Sequence, residues 1–447
     1  SDGLLENPQA ASDITALVSR ADYKYNAVFG RVNYNYDGRY LLNVTARRDG
    51  SARFGPENQF ANFAAVGVGW ILSEEKFMGS MPFVSFAKLR GSYGTTGNDK
   101  IGDYRFLDLY NPSYYPFMNT VGIFPTGLFN PQLAWELTKK LEGGIELGFF
   151  RDRLLLSASY FLNRSSNQLL EYRLPSITGF FSIPDNLPAT VQNSGFELSL
   201  NTLNVSSPDF KWSTSINFTI SRNKLHSFPG FETSGYDNTY VIGQPIGIIK
   251  AYRFAGVDPG TGRYQFYDSK GNSTFTPSFR EDRTGLLNTA PRFYGGIQNS
   301  VSYKGFTLDF FFQVVEKRSL NPLLMSGFHP GFFNFNLPKE ITNRWQQPGD
   351  IRPFQRYSQT FGEVFQSFDY VKNSDYNLTD GSFARLKNVS LSYQLPNRLK
   401  QKLSLQQARI YVQGQNIVTI TDYIFDPESF TSVPPLRVLT VGLQITL

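Results

Sequence analysis

The last stretch of the chain, Leu439 to Leu447, reads LTVGLQITL. Leu439, Val441, Leu443, Ile445 and Leu447 fall on one side of an extended chain; Thr440, Gly442, Gln444 and Thr446 fall on the other. Successive side chains of a strand point to opposite faces, so a strand held between lipid and water alternates in this way. The pattern recurs at Phe210, Trp212, Ile216, Phe218 and Ile220, set against Lys211, Ser213, Ser215, Asn217 and Thr219. It recurs at Leu141, Ile145, Leu147 and Phe149 against Glu142, Gly144, Glu146 and Gly148, and at Tyr40, Leu42, Val44 and Ala46 against Arg39, Asn43, Thr45 and Arg47. Phe306, Leu308, Phe310 and Phe312 alternate with Thr307, Asp309 and Gln313, with Phe311 breaking the polar side.

Weaker versions run through 25–36, 60–72, 85–94, 153–163, 195–205, 292–303, 383–395 and 406–417. Together these make about 12–14 strands of roughly 9–13 residues, the length of tilted membrane strands. A soluble sandwich or propeller also alternates, but its strands are shorter and carry fewer aromatics. The fold class read from the sequence is all-β, a transmembrane antiparallel β-barrel.

Composition agrees. Aromatic residues make up 16% of the chain and charged residues 18%, yet mean hydropathy is only −0.30, which excludes a bundle of membrane helices. No run approaches the ~18 apolar residues of a spanning helix. The absence of cysteine excludes disulfides, thiolate metal sites and cysteine nucleophiles. A net charge of +6, with no Lys/Arg run longer than two, lacks the footprint of a nucleic-acid binder.

The connections are of two kinds. Tyr36-Asp37-Gly38-Arg39 and Phe150-Arg151-Asp152-Arg153 read as tight hairpin turns. Residues 95–135, 164–194, 222–291 and 317–381 read as long extracellular loops, the third holding an extra hairpin around Asp258-Pro259-Gly260-Thr261-Gly262. Short turns at one end and long loops at the other are the habit of outer-membrane barrels, and long loops usually carry function.

Five strings carry a resemblance: RRDGSARFGP from Arg47 to Pro56, followed by Gly69-Trp70 and Ser73-Glu74-Glu75; KLRGSYGTTGNDKIGDY from Lys88 to Tyr104; PRFYGGIQNSVSYKGFTLDFFF from Pro291 to Phe312; FARLKNVSLSYQLP from Phe383 to Pro396; and IYVQGQNIVTITDYIFDPE from Ile410 to Glu428. In this order they resemble the C-terminal part of the SusC/RagA family of TonB-dependent outer-membrane transporters of Bacteroidota. The resemblance implies a 22-stranded barrel plugged by an N-terminal domain and lidded by a SusD-like surface lipoprotein. It also implies import of an oligosaccharide or peptide, driven by TonB through a region this chain lacks. Outer-membrane lipid and lipopolysaccharide are expected neighbours.

Plug, TonB box and N-terminal extension domain have no counterpart in the sequence, which opens Ser1-Asp2-Gly3 without a signal-like segment. The chain ends in Leu447, where such barrels commonly end in an aromatic residue. It is therefore read as a C-terminal portion accounting for about half of a barrel wall, with a last strand that needs a further neighbour.

Little here suggests chemistry. The two histidines, His226 and His329, are far apart, are read in loops and are expected to be solvated; no HExxH, GxSxG or P-loop string occurs. Glu74-Glu75 and Glu281-Asp282 are adjacent carboxylates that a strand would point apart and a loop would leave in water. Asp268-Ser269-Lys270-Gly271-Asn272 lacks the full ligand series of a calcium loop and reads as a turn. No enzyme, cofactor or metal is expected, and no residue is singled out as a ligand contact.

The aromatic loops are the informative part. Residues 95–135 carry Tyr104, Phe106, Tyr110, Tyr114, Tyr115, Phe117, Phe124 and Phe129. Residues 317–381 carry Phe328, Phe332, Phe333, Phe335, Trp345, Phe354, Tyr357, Phe361, Phe365 and Phe368. Such density suits self-packing, a partner interface or ligand contact. Trp70, Trp135, Trp212 and Tyr393 read instead as an interfacial girdle. Arg39, Asn43, Arg47, Lys88, Arg90, Glu142, Glu146, Lys211 and Asn217 are expected to face the lumen or plug. The expected activity is transport; a complete 14- or 16-stranded passive porin, a barrel enzyme and a non-transporting adhesin are the rival readings.

Overall fold

The computed structural model describes residues 21–113, 115–324, 329–331, 336–429 and 433–446. Thirteen strands form one antiparallel sheet: β1 (Tyr25–Tyr36), β2 (Tyr40–Ser51), β3 (Phe60–Ile71), β4 (Val84–Asn98), β5 (Glu136–Phe149), β6 (Leu154–Ser166), β7 (Thr190–Ser206), β8 (Phe210–Ser227), β9 (Phe293–Tyr303), β10 (Phe306–Glu316), β11 (Phe383–Gln394), β12 (Gln407–Ile420) and β13 (Val438–Thr446). Each pairs with its neighbours in sequence, so the wall is a simple meander. Among the described residues β1 pairs only with β2 and β13 only with β12, so the sheet stays open.

Local chemistry sets the hairpins. Asp37 (φ 54°) and Gly38 (φ 68°) are both left-handed, the geometry of a type I′ turn that matches strand twist, and Lys304 (φ 46°) and Gly305 (φ 90°) repeat it. Phe150, Arg151 and Asp152 are left-handed in succession.

The register shows how the two faces separate. Followed from strand to strand, one row runs Lys88, Glu146, Ser157, Ser199, Asn217, Gly296, Gln313, Arg385 and Thr419. A row on the opposite face runs Tyr36, Tyr40, Trp70, Leu89, Ile145, Ala158, Leu198 and Phe218. A one-residue slip anywhere would invert this, so the alternation itself fixes the pairing.

Strand lengths run from 9 to 18 residues, beyond the 9–13 read from the pattern. Strands β7 and β8 continue past the apolar segment into stretches read as loop, where the ladder persists while the hydrophobic alternation fades. The connections 52–59, 99–135, 167–189, 228–292, 317–382 and 421–437 all lie at one end of the sheet; those at the other end run no longer than 72–83 and 395–406. The long ones contain hairpins of their own, including Arg253–Val257 with Tyr264–Tyr267 around Asp258 to Gly262, and a helix, Glu363–Lys372.

The buried core lies mainly in these connections. Tyr252, Tyr264 and Phe266 from one connection pack with Leu324, Phe368 and Val371 from another. Phe54, Leu133 and Trp135 close over Phe63 at the end of the wall.

Candidate functional site: the inner wall and its loop collar

The inner face is polar and internally paired. Lys88 and Glu146 stand opposite each other at 3.6 Å; Arg90 reaches Glu146 at 3.2 Å and also bonds Glu142. Arg47 pairs with Asp49 at 2.8 Å. Asn43, Lys211 and Asn217 share this face, as expected from their spacing. Arg39 does not join it. It lies in the first turn and pairs with Asp37 and, at 3.3 Å, with Glu75. Glu75 also accepts from the Tyr40 hydroxyl at 2.7 Å and the Trp70 indole at 3.1 Å, and these bonds hold its carboxyl below the usual range. Arg39 thus anchors the outer aromatic rim.

Phe311, the residue that breaks the polar alternation, has a structural reason. Its ring covers Gly296 on β9. Phe161 covers Gly195 and Tyr411 covers Gly442 in the same way, all on the inner face. A ring laid over a glycine on the next strand shields backbone that has no side chain of its own.

On the outer face, aromatics gather at the short-turn end: Tyr40 stacks on Trp70 at 6.3 Å, Phe210 meets Tyr303 at 6.5 Å and Phe306 meets Tyr393 at 4.4 Å. Trp70, Trp212 and Tyr393 therefore sit where a girdle belongs. Trp135 does not. It is buried against Phe54 and Phe63 and donates to the Gln59 carbonyl at 3.1 Å, because the connection before it folds onto 52–59.

The recognisable strings meet in space. Arg53 bonds Asp103 at 2.9 Å, and Ser51 donates to Asp99 at 2.7 Å, joining the first string to the second. The last two strings converge on Arg385, whose side chain is 1% exposed. It pairs with Glu428 at 2.6 Å and with Asp426, while Lys387 reaches Glu428 at 2.7 Å. Lys317 donates to the Pro427 carbonyl at 2.5 Å; burial lowers its pKa despite the attraction of Glu428 and Asp426. Connection 421–429 is thereby strapped to the inner wall, a contact across more than forty residues that spacing alone does not reveal.

The loop aromatics divide. Trp345, Phe354 and Phe368 are buried, and Phe106 and Tyr357 pack beside buried clusters. Tyr110, Tyr115, Phe117, Phe124, Phe129 and Phe361 are exposed. Tyr114, Phe328, Phe332, Phe333 and Phe335 lie outside the described residues, as does Leu447.

His329 is buried rather than solvated, with Nδ1 2.9 Å from the Pro330 carbonyl, Nε2 2.9 Å from that of Val364, and Phe365 stacked on its ring. Burial pushes its pKa down. His226 is exposed near the end of β8, in a strand rather than a loop. Asp282 is also buried, accepting from the amides of Ser269 at 2.7 Å and Ser278 at 2.6 Å, so it shapes its loop. Asp268 caps a turn through the amides of Lys270 and Asn272. No cluster of metal-ligating side chains occurs among the described residues.

A two-faced wall, aromatic-rimmed outside and ion-paired inside, under a collar at one end, is the architecture of a large outer-membrane barrel. Residues 3–417 match the model of the family described as TonB dependent receptor-like, beta-barrel. The chain belongs to that family. TonB-dependent receptor P3 of Formosa agariphila is 30% identical over 466 residues, covering 94% of this chain and 45% of the relative. TonB-dependent receptor SusC of Bacteroides thetaiotaomicron is 29% identical over 453 residues, covering 94% and 43%. The solved RagAB peptide transporter superposes with a TM-score of 0.81 at 27% identity, over 95% of this chain and 48% of that one. This TonB-dependent barrel chain thus spans under half the length of the curated relatives it matches. It is of SusC/RagA type, and its family comprises outer-membrane transporters and receptors, not enzymes.

Proposed function

We propose that the chain forms the C-terminal wall of an importer that moves a bulky nutrient, an oligosaccharide or a peptide, across the outer membrane using energy delivered by TonB. The observation that supports this most is the inner row from Lys88 to Thr419, a line of polar side chains interrupted at Gly296, where the Phe311 ring lies, on the face opposite the lipid-facing one. A wet wall of paired charges and hydroxyls holds a polar solute weakly at many points, which is what passage requires. The loops at the collared end face outward from the cell on this reading.

The collar also supports a partner. Tyr115, Phe117, Ile123, Ile177 and Phe181 stand exposed on two adjacent hairpins, which are tied together by the Arg105–Glu171 ion pair. An apolar patch of this kind suits a SusD-like lipoprotein docking at the rim. The test is uptake by cells that carry the full-length protein. Accumulation of the oligosaccharide or peptide pool that co-purifies with the complex should stop when TonB is deleted, whereas uptake that persists would make the protein a passive porin. A lipoprotein absent from the purified complex would remove the partner.

A further inference from the structure

We infer that the outer face carries a lipid-phosphate belt just above the apolar band, built from Lys139, Arg164 and Lys224 with Arg222 beside them. Register puts these residues on the lipid side. Lys139 is paired with Arg164, Arg164 with Gln192 and Gln192 with Lys224. The adjacent row of the same face runs Leu141, Leu162, Ser194 and Arg222, and the next one holds Phe196 and Ile220.

Height places the belt at the membrane boundary. Phe149 lies in the aromatic rim and Lys139 on the same strand, ten residues away (149 − 139). At about 3.3 Å per residue, with strands tilted by about 40°, that separation is about 25 Å along the membrane normal, the height of the apolar band itself. The side chains emerge where outer-leaflet headgroups begin.

Charge then decides the partner. On the inner face Lys88, Arg90, Arg47 and Arg385 each have a carboxylate. Lys139, Arg164, Arg222 and Lys224 have none among the described residues. Arg164 contacts only the Gln192 amide, at 2.9 Å, and Arg222 only backbone carbonyls. Four unbalanced cations at headgroup level, carried by three of four consecutive strands with the Gln192 amide between them on β7, match an anionic headgroup with several phosphate oxygens. A phosphorylated glycolipid of the outer leaflet has that chemistry and is held at that height. This site rests on the outer-membrane placement of the chain and not on any transported substrate, so failure of the uptake test leaves it standing.

The experiment uses the full-length transporter in nanodiscs containing bisphosphorylated lipid A or the same lipid stripped of phosphate, with retained lipid counted by native mass spectrometry. The wild type should retain the phosphorylated form at least tenfold better. Lys139→Gln, Arg164→Gln and Lys224→Gln combined should abolish that preference; Lys139→Arg, Arg164→Lys and Lys224→Arg combined should keep it, and so should Lys400→Gln at the opposite end. Heat-modifiable gel mobility confirms that each barrel is folded. Equal retention of both lipids by the wild type, or an undiminished preference in the glutamine variant, overturns the belt. Displacement of the lipid by millimolar inorganic pyrophosphate overturns the membrane source and leaves a free-phosphate site.

Discussion

The ring of Phe161 lies against Gly195 on the neighbouring strand so closely that a Cβ there would come within 2.7 Å of the ring and 2.5 Å of the Ile220 carbonyl oxygen. The glycine is thus required by the ring above it and the backbone beside it. Gly195→Ala should lower stability by about 1–3 kcal/mol through overpacking. Gly143→Ala, where nothing lies within 4 Å on a strand paired on both sides, should be neutral. Urea titration of the folded band on gels measures both, and equal midpoints would remove the steric account.

The faces can be tested on the last strand. Leu443 is outward and exposed, and Gln444 is its inward neighbour. Leu443→Arg should cost more than Gln444→Arg but less than the about 2–4 kcal/mol of a midplane site, because register puts Leu443 in the row of the Tyr393 and Phe306 rim. Equal tolerance at the two positions would contradict the assignment.

The Arg385 strap should be costly to cut. Arg385→Gln leaves Asp426 and Glu428 half-buried without their main cation, and breaking a buried pair costs about 3–5 kcal/mol. The value here should lie at the low end, because Lys387 still reaches Glu428. Hydrogen exchange should speed up in 421–429 and stay unchanged in β2 and β3; uniform exchange would show that the strap holds nothing.

His329 should make the collar acid-sensitive. Its folded pKa is depressed by burial, so between that value and the unfolded value of about 6.5 the unfolded state binds more protons. Stability is complete above pH ~6.5 and declines as pH falls below it. Asp369 and Lys372 also act on the ring, the first opposing the depression and the second adding to it. Exchange within Glu363–Lys372 should therefore quicken between pH 7.5 and 5.5, and His329→Gln should flatten that response.

The wall was legible because a two-residue period can be read directly: Leu443, Ile216, Leu141 and Val44 lie outward as their spacing requires. Trp70, Trp212 and Tyr393 followed, since alternation plus a nearby short turn places them at one rim. Trp135 obeys no such rule, because the connection that buries it enters from outside the strand pattern. In the long loops, aromatic content could not separate Phe368 at 2% exposure from Phe361 at 73%. The helix Glu363–Lys372 makes that difference, burying Val364, Ser367, Phe368 and Val371 on one side. Their three- and four-residue spacing was the available signal. His329 offered none, since its partners Gln355 and Val364 lie 26 and 35 residues away.

The shared core of the two longest connections has a consequence for engineering. Tyr252 bonds the backbone of Asn373 and Asp375 at 2.9 Å, and Trp345 donates to the Pro259 carbonyl at 2.9 Å. Segments 228–292 and 317–382 are thus one graftable module encoded in two pieces. A chimera that borrows one of them from a relative inherits half an interface; recombination that preserves folding must carry both.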